Sequence, residues 1–141
     1  MNESRAEFAI RTPIDRQQAA SMHPMALAFV GDAVHTLYVR TLVTEMCGGP
    51  RTGELHRMTS EKVAATAQAA ASGRISPLFD ETEADIFRRA RNCRIQTSAK
   101  HAEPAEYRRA SGLEAVLGYL YLTGQTERLS LFLGMATEDK A

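Results

Sequence analysis

The chain lacks a surplus of either charge: 17 lysines and arginines face 17 aspartates and glutamates, so no overall basic field points to nucleic acid. Cysteine is scarce. The two present, Cys47 and Cys93, lie far apart and form no Cys-x-x-Cys pair, which argues against a disulfide scaffold and a zinc ribbon. No apolar run approaches the ~18 residues of a membrane span, so no membrane partner is expected. The N-terminal segment is broken up by Glu3, Arg5, Glu7, Arg11, Asp15 and Arg16, leaving no apolar stretch for a secretory signal, and a cytoplasmic location is expected. The phosphate-binding glycine loops of common nucleotide sites are missing, and His23, His35, His56 and His101 are scattered without metal-ligand spacing. What remains is 141 residues, 44% apolar and 24% charged, the balance of one ordinary soluble domain.

Helix signals organise that length. Pro24 stands where a first-turn proline belongs, and an apolar stretch from Met25 to Met46 follows until Cys47-Gly48-Gly49-Pro50 stops it. A second helical region spans Thr52 to Ser72, with a break expected near Met58-Thr59 and Gly73 as its stop. Asp80 and Glu83 have capping-box spacing ahead of a helix from Thr82 to Asn92. Pro104 opens a long helix to Thr123, Gly124 ends it, and a last helix covers Thr126 to Gly134. Strand alternation, internal repeats and low-complexity tracts are absent, so the fold class is all-α. Residues 1–20 read as an N-terminal arm, 21–135 as the folded domain and 136–141 as a tail.

Two carboxylates are out of place. On a helical wheel Leu27, Val30, Val34, Leu37 and Tyr38 fill one face of the first long helix, yet Ala28, Phe29, Val39 and Val43 make the other side apolar too. Such a helix is expected to be central and packed on most sides. Asp32 is its only charge between Gln17 and Val39, so it is expected to have a partner, because a lone buried carboxylate is costly. Glu114 repeats the pattern as the only charge between Ala110 and Thr126. Each helix also carries an interior glycine, Gly31 and Gly118, of the kind that lets another backbone approach closely. The two helices could therefore cross so that the acids converge. Two explanations stay open on pattern alone. Each acid could be paired with an arginine from elsewhere, or the two could share a hard divalent cation such as Mg²⁺ or Mn²⁺.

Charge is also segregated. Between Leu78 and Phe87 stand Asp80, Glu81, Glu83 and Asp85 with no base. Between Arg88 and Arg109 stand Arg88, Arg89, Arg91, Arg94, Lys100, Arg108 and Arg109 against Glu103 and Glu106. A solvated helix end and a phosphate-contact surface both fit that run; Asn92 and Ser98 would add neutral hydrogen bonds to the second.

Two segments carry a resemblance. Leu27-Ala28-Phe29-Val30-Gly31-Asp32-Ala33-Val34 resembles the signature helix of the ribonuclease III family, and Tyr107 to Leu122 resembles that fold's second acidic helix. Leu55-His56, Arg89-Ala90-Arg91-Asn92 and the Lys100 loop before Tyr107-Arg108 narrow the similarity to the mini-ribonuclease III branch, which lacks a double-stranded-RNA-binding domain. The resemblance runs from Pro24 to Leu133 in order.

It implies an all-helical, dimeric endonuclease-domain fold, with 21–135 as the catalytic domain. It implies Mg²⁺-dependent cleavage of double-stranded RNA leaving 5′-phosphates, with Mn²⁺ as a possible substitute, and maturation of the ends of large-subunit (23S) ribosomal RNA precursor in the cytoplasm, or in the plastid stroma of a plant. Asp32 and Glu114 match the acids that hold the catalytic metal, and Arg89, Arg91, Asn92, Lys100 and Arg108 would contact RNA. Two further acids of full-length ribonucleases III are replaced here by Ala28 and Ser111, as in the short form. The alternative is a catalytically silent helical RNA-binding or scaffold protein of the same fold.

Overall fold

The computed structural model describes residues 12–47, 52–93 and 104–137, and among them every regular element is helical. The order is α1 (Arg16–Ala20), α2 (Pro24–Cys47), α3 (Thr52–Val63), α4 (Ala65–Ile75), a short 3-10 turn (Ser76–Leu78), α5 (Glu81–Arg91), α6 (Pro104–Leu122) and α7 (Thr126–Ala136). Local chemistry sets most of these boundaries. Pro24 opens α2, and the Met25 amide donates to His23 Nδ1 at 3.0 Å. The Asp80 box closes as spaced: Asp80 Oδ1 accepts from the Glu83 amide at 2.8 Å, and Glu83 Oε1 from the Asp80 amide at 2.9 Å. Gly124, at φ +71°, takes the left-handed turn that ends α6.

α6 is the centre of the molecule, with α2, α4, α5 and α7 packed around it. Leu113, Val116, Leu117 and Leu120 are wholly buried along it, and fully burying a leucine contributes about 2 kcal/mol. Ile75, Ile86 and Phe132 bring α4, α5 and α7 onto that core.

Several expectations are corrected. The break in the second helical region falls at Ala64 (φ −59°, ψ 151°), beyond Met58-Thr59. No glycine or proline marks it; a local side-chain hydrogen bond spans it, in which Gln68 Nε2 donates to the freed Val63 carbonyl at 2.8 Å. α4 runs through Gly73 to Ile75 because burying Ile75 outweighs the glycine, and Pro77 supplies the stop. A short helix, α1, precedes Pro24. Asp15 caps it, Ala19 is buried, and the Ile14 amide donates to the Leu122 carbonyl at 2.8 Å. Of the expected arm, residues 1–11 lie outside the described residues, as do 138–141 of the expected tail.

α2 is also not packed on most sides. Leu27, Val39 and Val43 are buried, but Phe29 is 80% exposed and Leu37 45%. Asp32 is exposed with them. The helix period puts Phe29 beside Asp32 on one face, whereas Leu37 lies round the helix, where it lines a cavity with Leu129 and Leu133 of α7. Contrary to the sequence expectation, Pro24–Met46 is long enough and apolar enough, at mean hydropathy 1.2, to cross a membrane by length and composition. Here that stretch packs on α6 and α3.

Candidate active site

The site is built where α2 crosses α6 through Gly31 and Gly118. A Cβ placed on Gly31 would lie 1.7 Å from the Glu114 carbonyl oxygen, and one on Gly118 would lie 2.0 Å from that of Leu27. The two backbones therefore touch directly. Asp32 is the residue after Gly31, and the Glu114 main chain rests on Gly31 itself. The crossing brings Asp32 close enough to Glu114 for its charge to act on the Glu114 carboxyl.

The electrostatics follow from that placement. Burial first, and then the neighbouring Asp32 charge, push the half-buried Glu114 carboxyl up to about 8. Gln68 works the other way: its Nε2 donates to Glu114 Oε2 at 3.1 Å and favours the ionised form. His35, one turn beyond Asp32, is wholly buried with neither ring nitrogen partnered, and burial holds it down at about 4 despite the Asp32 charge.

Among the described residues, no lysine or arginine forms an ion pair with Asp32 or Glu114. The molecule does contain a buried acid with an arginine partner, but it is Glu83. That carboxylate accepts from Arg128 Nε and, at 2.7 Å, from Arg128 Nη2, which also reaches the Leu78 carbonyl. Asp32 and Glu114 are two hard oxygen donors in contact with no counter-charge, and beside them the buried Gln68 Oε1 has no hydrogen-bond partner. That donor set suits a divalent cation of the Mg²⁺ type, which uses one or two carboxylates and keeps several waters. Among the described residues no group of three or more His, Cys, Asp or Glu could hold a metal, so at this crossing those residues offer two carboxylates. Ala28 and Ser111 are both buried in the same crossing helices and add no charge.

The expected RNA-contact residues separate. Arg91, Asn92 and Arg108 line one shallow pocket of about 240 Å³ together with Ala105 and Arg109. The Arg91 guanidinium lies 5.8 Å over the Phe87 ring, and Arg108 and Arg109 are exposed less than two turns before Glu114 on α6. Arg89 points elsewhere: its Nε donates to Asp85 Oδ2 at 2.9 Å and its Nη2 to the Ala20 carbonyl at 2.7 Å, pinning α1 to α5. Lys100 and Ser98 lie outside the described residues. Gln68 was not among the sequence candidates, and Arg109 was named only as part of the basic run. The signal for Gln68 was a lone amide in the alanine-rich run from Val63 to Ala71.

The family model described as the ribonuclease III domain matches residues 25–125, a span that takes in both acids and the crossing. The chain belongs to the ribonuclease III family. Within it the similarity is to mini-ribonucleases 3. That of Thermoanaerobacter sp. is 41% identical over 98% of this chain and 97% of its own length, and that of Symbiobacterium thermophilum 43% identical over 84% and 90%. A crystal structure of a Fusobacterium nucleatum protein superposes on 82% of this chain and 91% of its own with a TM-score of 0.74 at 29% identity. Membership of the ribonuclease III family implies endoribonuclease chemistry, and the helical ribonuclease III fold is the one described above.

Proposed function

We propose that the chain is a Mg²⁺-dependent endoribonuclease that cleaves double-stranded RNA and leaves a 5′-phosphate and a 3′-hydroxyl, with Mn²⁺ able to replace Mg²⁺. The observation that carries this is the contact of Asp32 and Glu114 at the Gly31–Gly118 crossing with no basic partner. When bound, the cation supplies a Lewis acid that lowers the pKa of a water and stabilises charge on the phosphodiester. For that, Glu114 must give up its proton, and the Gln68 amide favours the ionised form. Arg91, Asn92, Arg108 and Arg109 offer donors to the RNA backbone, and binding through such contacts is strongly salt-dependent. Likeness to mini-ribonucleases 3 extends the proposal to the ends of 23S ribosomal RNA precursor in the cytoplasm. Homodimerisation through the exposed Phe29, on the same face of α2 as Asp32, would set two sites side by side.

Incubating the protein with a long, perfectly paired RNA, with and without Mg²⁺ and alongside Asp32→Asn, tests the reading. Cutting that needs Mg²⁺ and is lost in the variant supports it. Cutting by Asp32→Asn at the parental rate overturns the metal assignment. Binding without cutting by the parent replaces the nuclease with a silent RNA-binding form of the fold.

A further inference from the structure

Gln68 is the one buried amide that touches the acid pair, and its surroundings do not explain it as packing. It sits one turn into α4, just past the break at Ala64, and only 3% of it is exposed. Its amide nitrogen has two hydrogens and two acceptors: the Val63 carbonyl at 2.8 Å, left free where α3 ends, and Glu114 Oε2 at 3.1 Å. Its own Oε1 is buried without a partner. A side chain present only to fill space would not bring an unsatisfied carbonyl into the interior. A glutamine there does what a leucine or methionine cannot: it ties a carboxylate on α6 to a main-chain carbonyl at a fixed point between α3 and α4.

We propose that Gln68 is the positioning residue of the acid pair, its amide nitrogen clamping Glu114 Oε2 to the Val63 carbonyl so that the Glu114 carboxylate is held turned toward Asp32 for binding a divalent cation. This rests on the metal-dependent reading above and adds a third helix to the site. Without the clamp Glu114 keeps its place on α6 but not its side-chain orientation, and two carboxylates that must converge on one ion lose part of their geometry. Loss of such an outer partner typically weakens metal affinity about 10-fold or more.

Mn²⁺ binding to the full chain, followed by electron paramagnetic resonance of the free ion, is the test. The variants are Gln68→Met, which keeps the volume and removes the donor, and Gln68→Asn, which keeps an amide too short to span both partners. Both are expected to raise the Mn²⁺ Kd about 10-fold. Glu114→Gln serves as the reference for loss of a ligand. Gln68 variants that bind Mn²⁺ within about two-fold of the parent, while Glu114→Gln does not, overturn the positioning role alone, and a lowered thermal midpoint would then mark a structural residue. A parent that takes up no Mn²⁺, or a Glu114→Gln that binds as well as the parent, overturns the metal reading and this inference with it.

Discussion

Gly31→Ala tests fold and site in one substitution. The new Cβ would stand 1.7 Å from the Glu114 carbonyl oxygen and 2.9 Å from the Gly118 nitrogen, where ordinary contact begins at 3.4 Å. Both obstacles are main chain, so no rotamer change relieves the overlap, and α2 and α6 must part by more than 1 Å at the point where they touch. Overpacking of a core costs ~1–3 kcal/mol, and the rigid obstacle places this case at the upper end. Alanine returns about 1 kcal/mol of helix propensity. The net expectation is a loss of about 2 kcal/mol, or roughly 6 °C in thermal midpoint for a domain of this size. Gly73→Ala is the control, because nothing lies within 4 Å of a Cβ there; it should stabilise α4 by up to about 1 kcal/mol. Because the atom pushed away is the carbonyl of Glu114 itself, cleavage measured well below either midpoint should fall about 100-fold as the acids separate. Equal stability for the two variants would refute the crossing as described, and equal cleavage would refute the dependence of the site upon it.

Two further outcomes follow from the electrostatics. Glu114 holds its proton up to about pH 8 in the folded chain and to its ordinary 4.5 when unfolded, so without divalent cation that proton stabilises the fold below pH 4.5 and the contribution is lost as pH rises toward 8. Glu114→Gln has no such dependence and should gain on the parent steadily across that window in chemical unfolding; a difference that stays flat from pH 4.5 to 8 would contradict the raised Glu114 value that burial and Asp32 give. The arginines should divide as well. Arg89→Ala should lower thermal stability by releasing α1 while leaving RNA affinity nearly intact, whereas Arg108→Ala should leave stability unchanged and reduce the salt slope of RNA binding by about one. Filter binding across a salt series, set beside melting curves, would show the reverse if Arg89 were the RNA contact.

Much of this was legible because its causes are local. Pro24, Pro104 and the Asp80–Glu83 box act on their own backbone within one turn, and the helices they start appear where the spacing puts them. The crossing was legible for a different reason. A glycine inside an apolar helix costs stability, and two of them, each near an isolated acid, have a simple common explanation in backbone contact. What stayed hidden depends on partners distant in sequence. The break at Ala64 has no residue that would break an isolated helix; the Gln68 side chain that spans it is itself held by Glu114, 46 residues on. Gly73 fails to stop α4 because Ile75 gains more from the core than glycine loses. Phe29 looked like core because periodicity says which residues share a face, not which faces are covered.

The two buried acids show the limit most clearly. Glu83 is wholly buried, yet it sits in the charged helix α5, among Glu81, Asp85 and the arginines, where the sequence marks it as no more than a cap. Its burial is tolerable because Arg128, 45 residues away, supplies both charge and hydrogen bonds. Glu114 is only half-buried but stands alone in an apolar helix, and nothing basic comes to it. Isolation in sequence therefore reported the absence of a counter-charge, not depth of burial. That absence separates a structural carboxylate from one left able to bind a cation. A guanidinium on Glu114 would have relieved the repulsion from Asp32 permanently. An amide from Gln68 donates to the carboxylate without neutralising it, and on the reading proposed above the place of the counter-charge is left to a divalent cation.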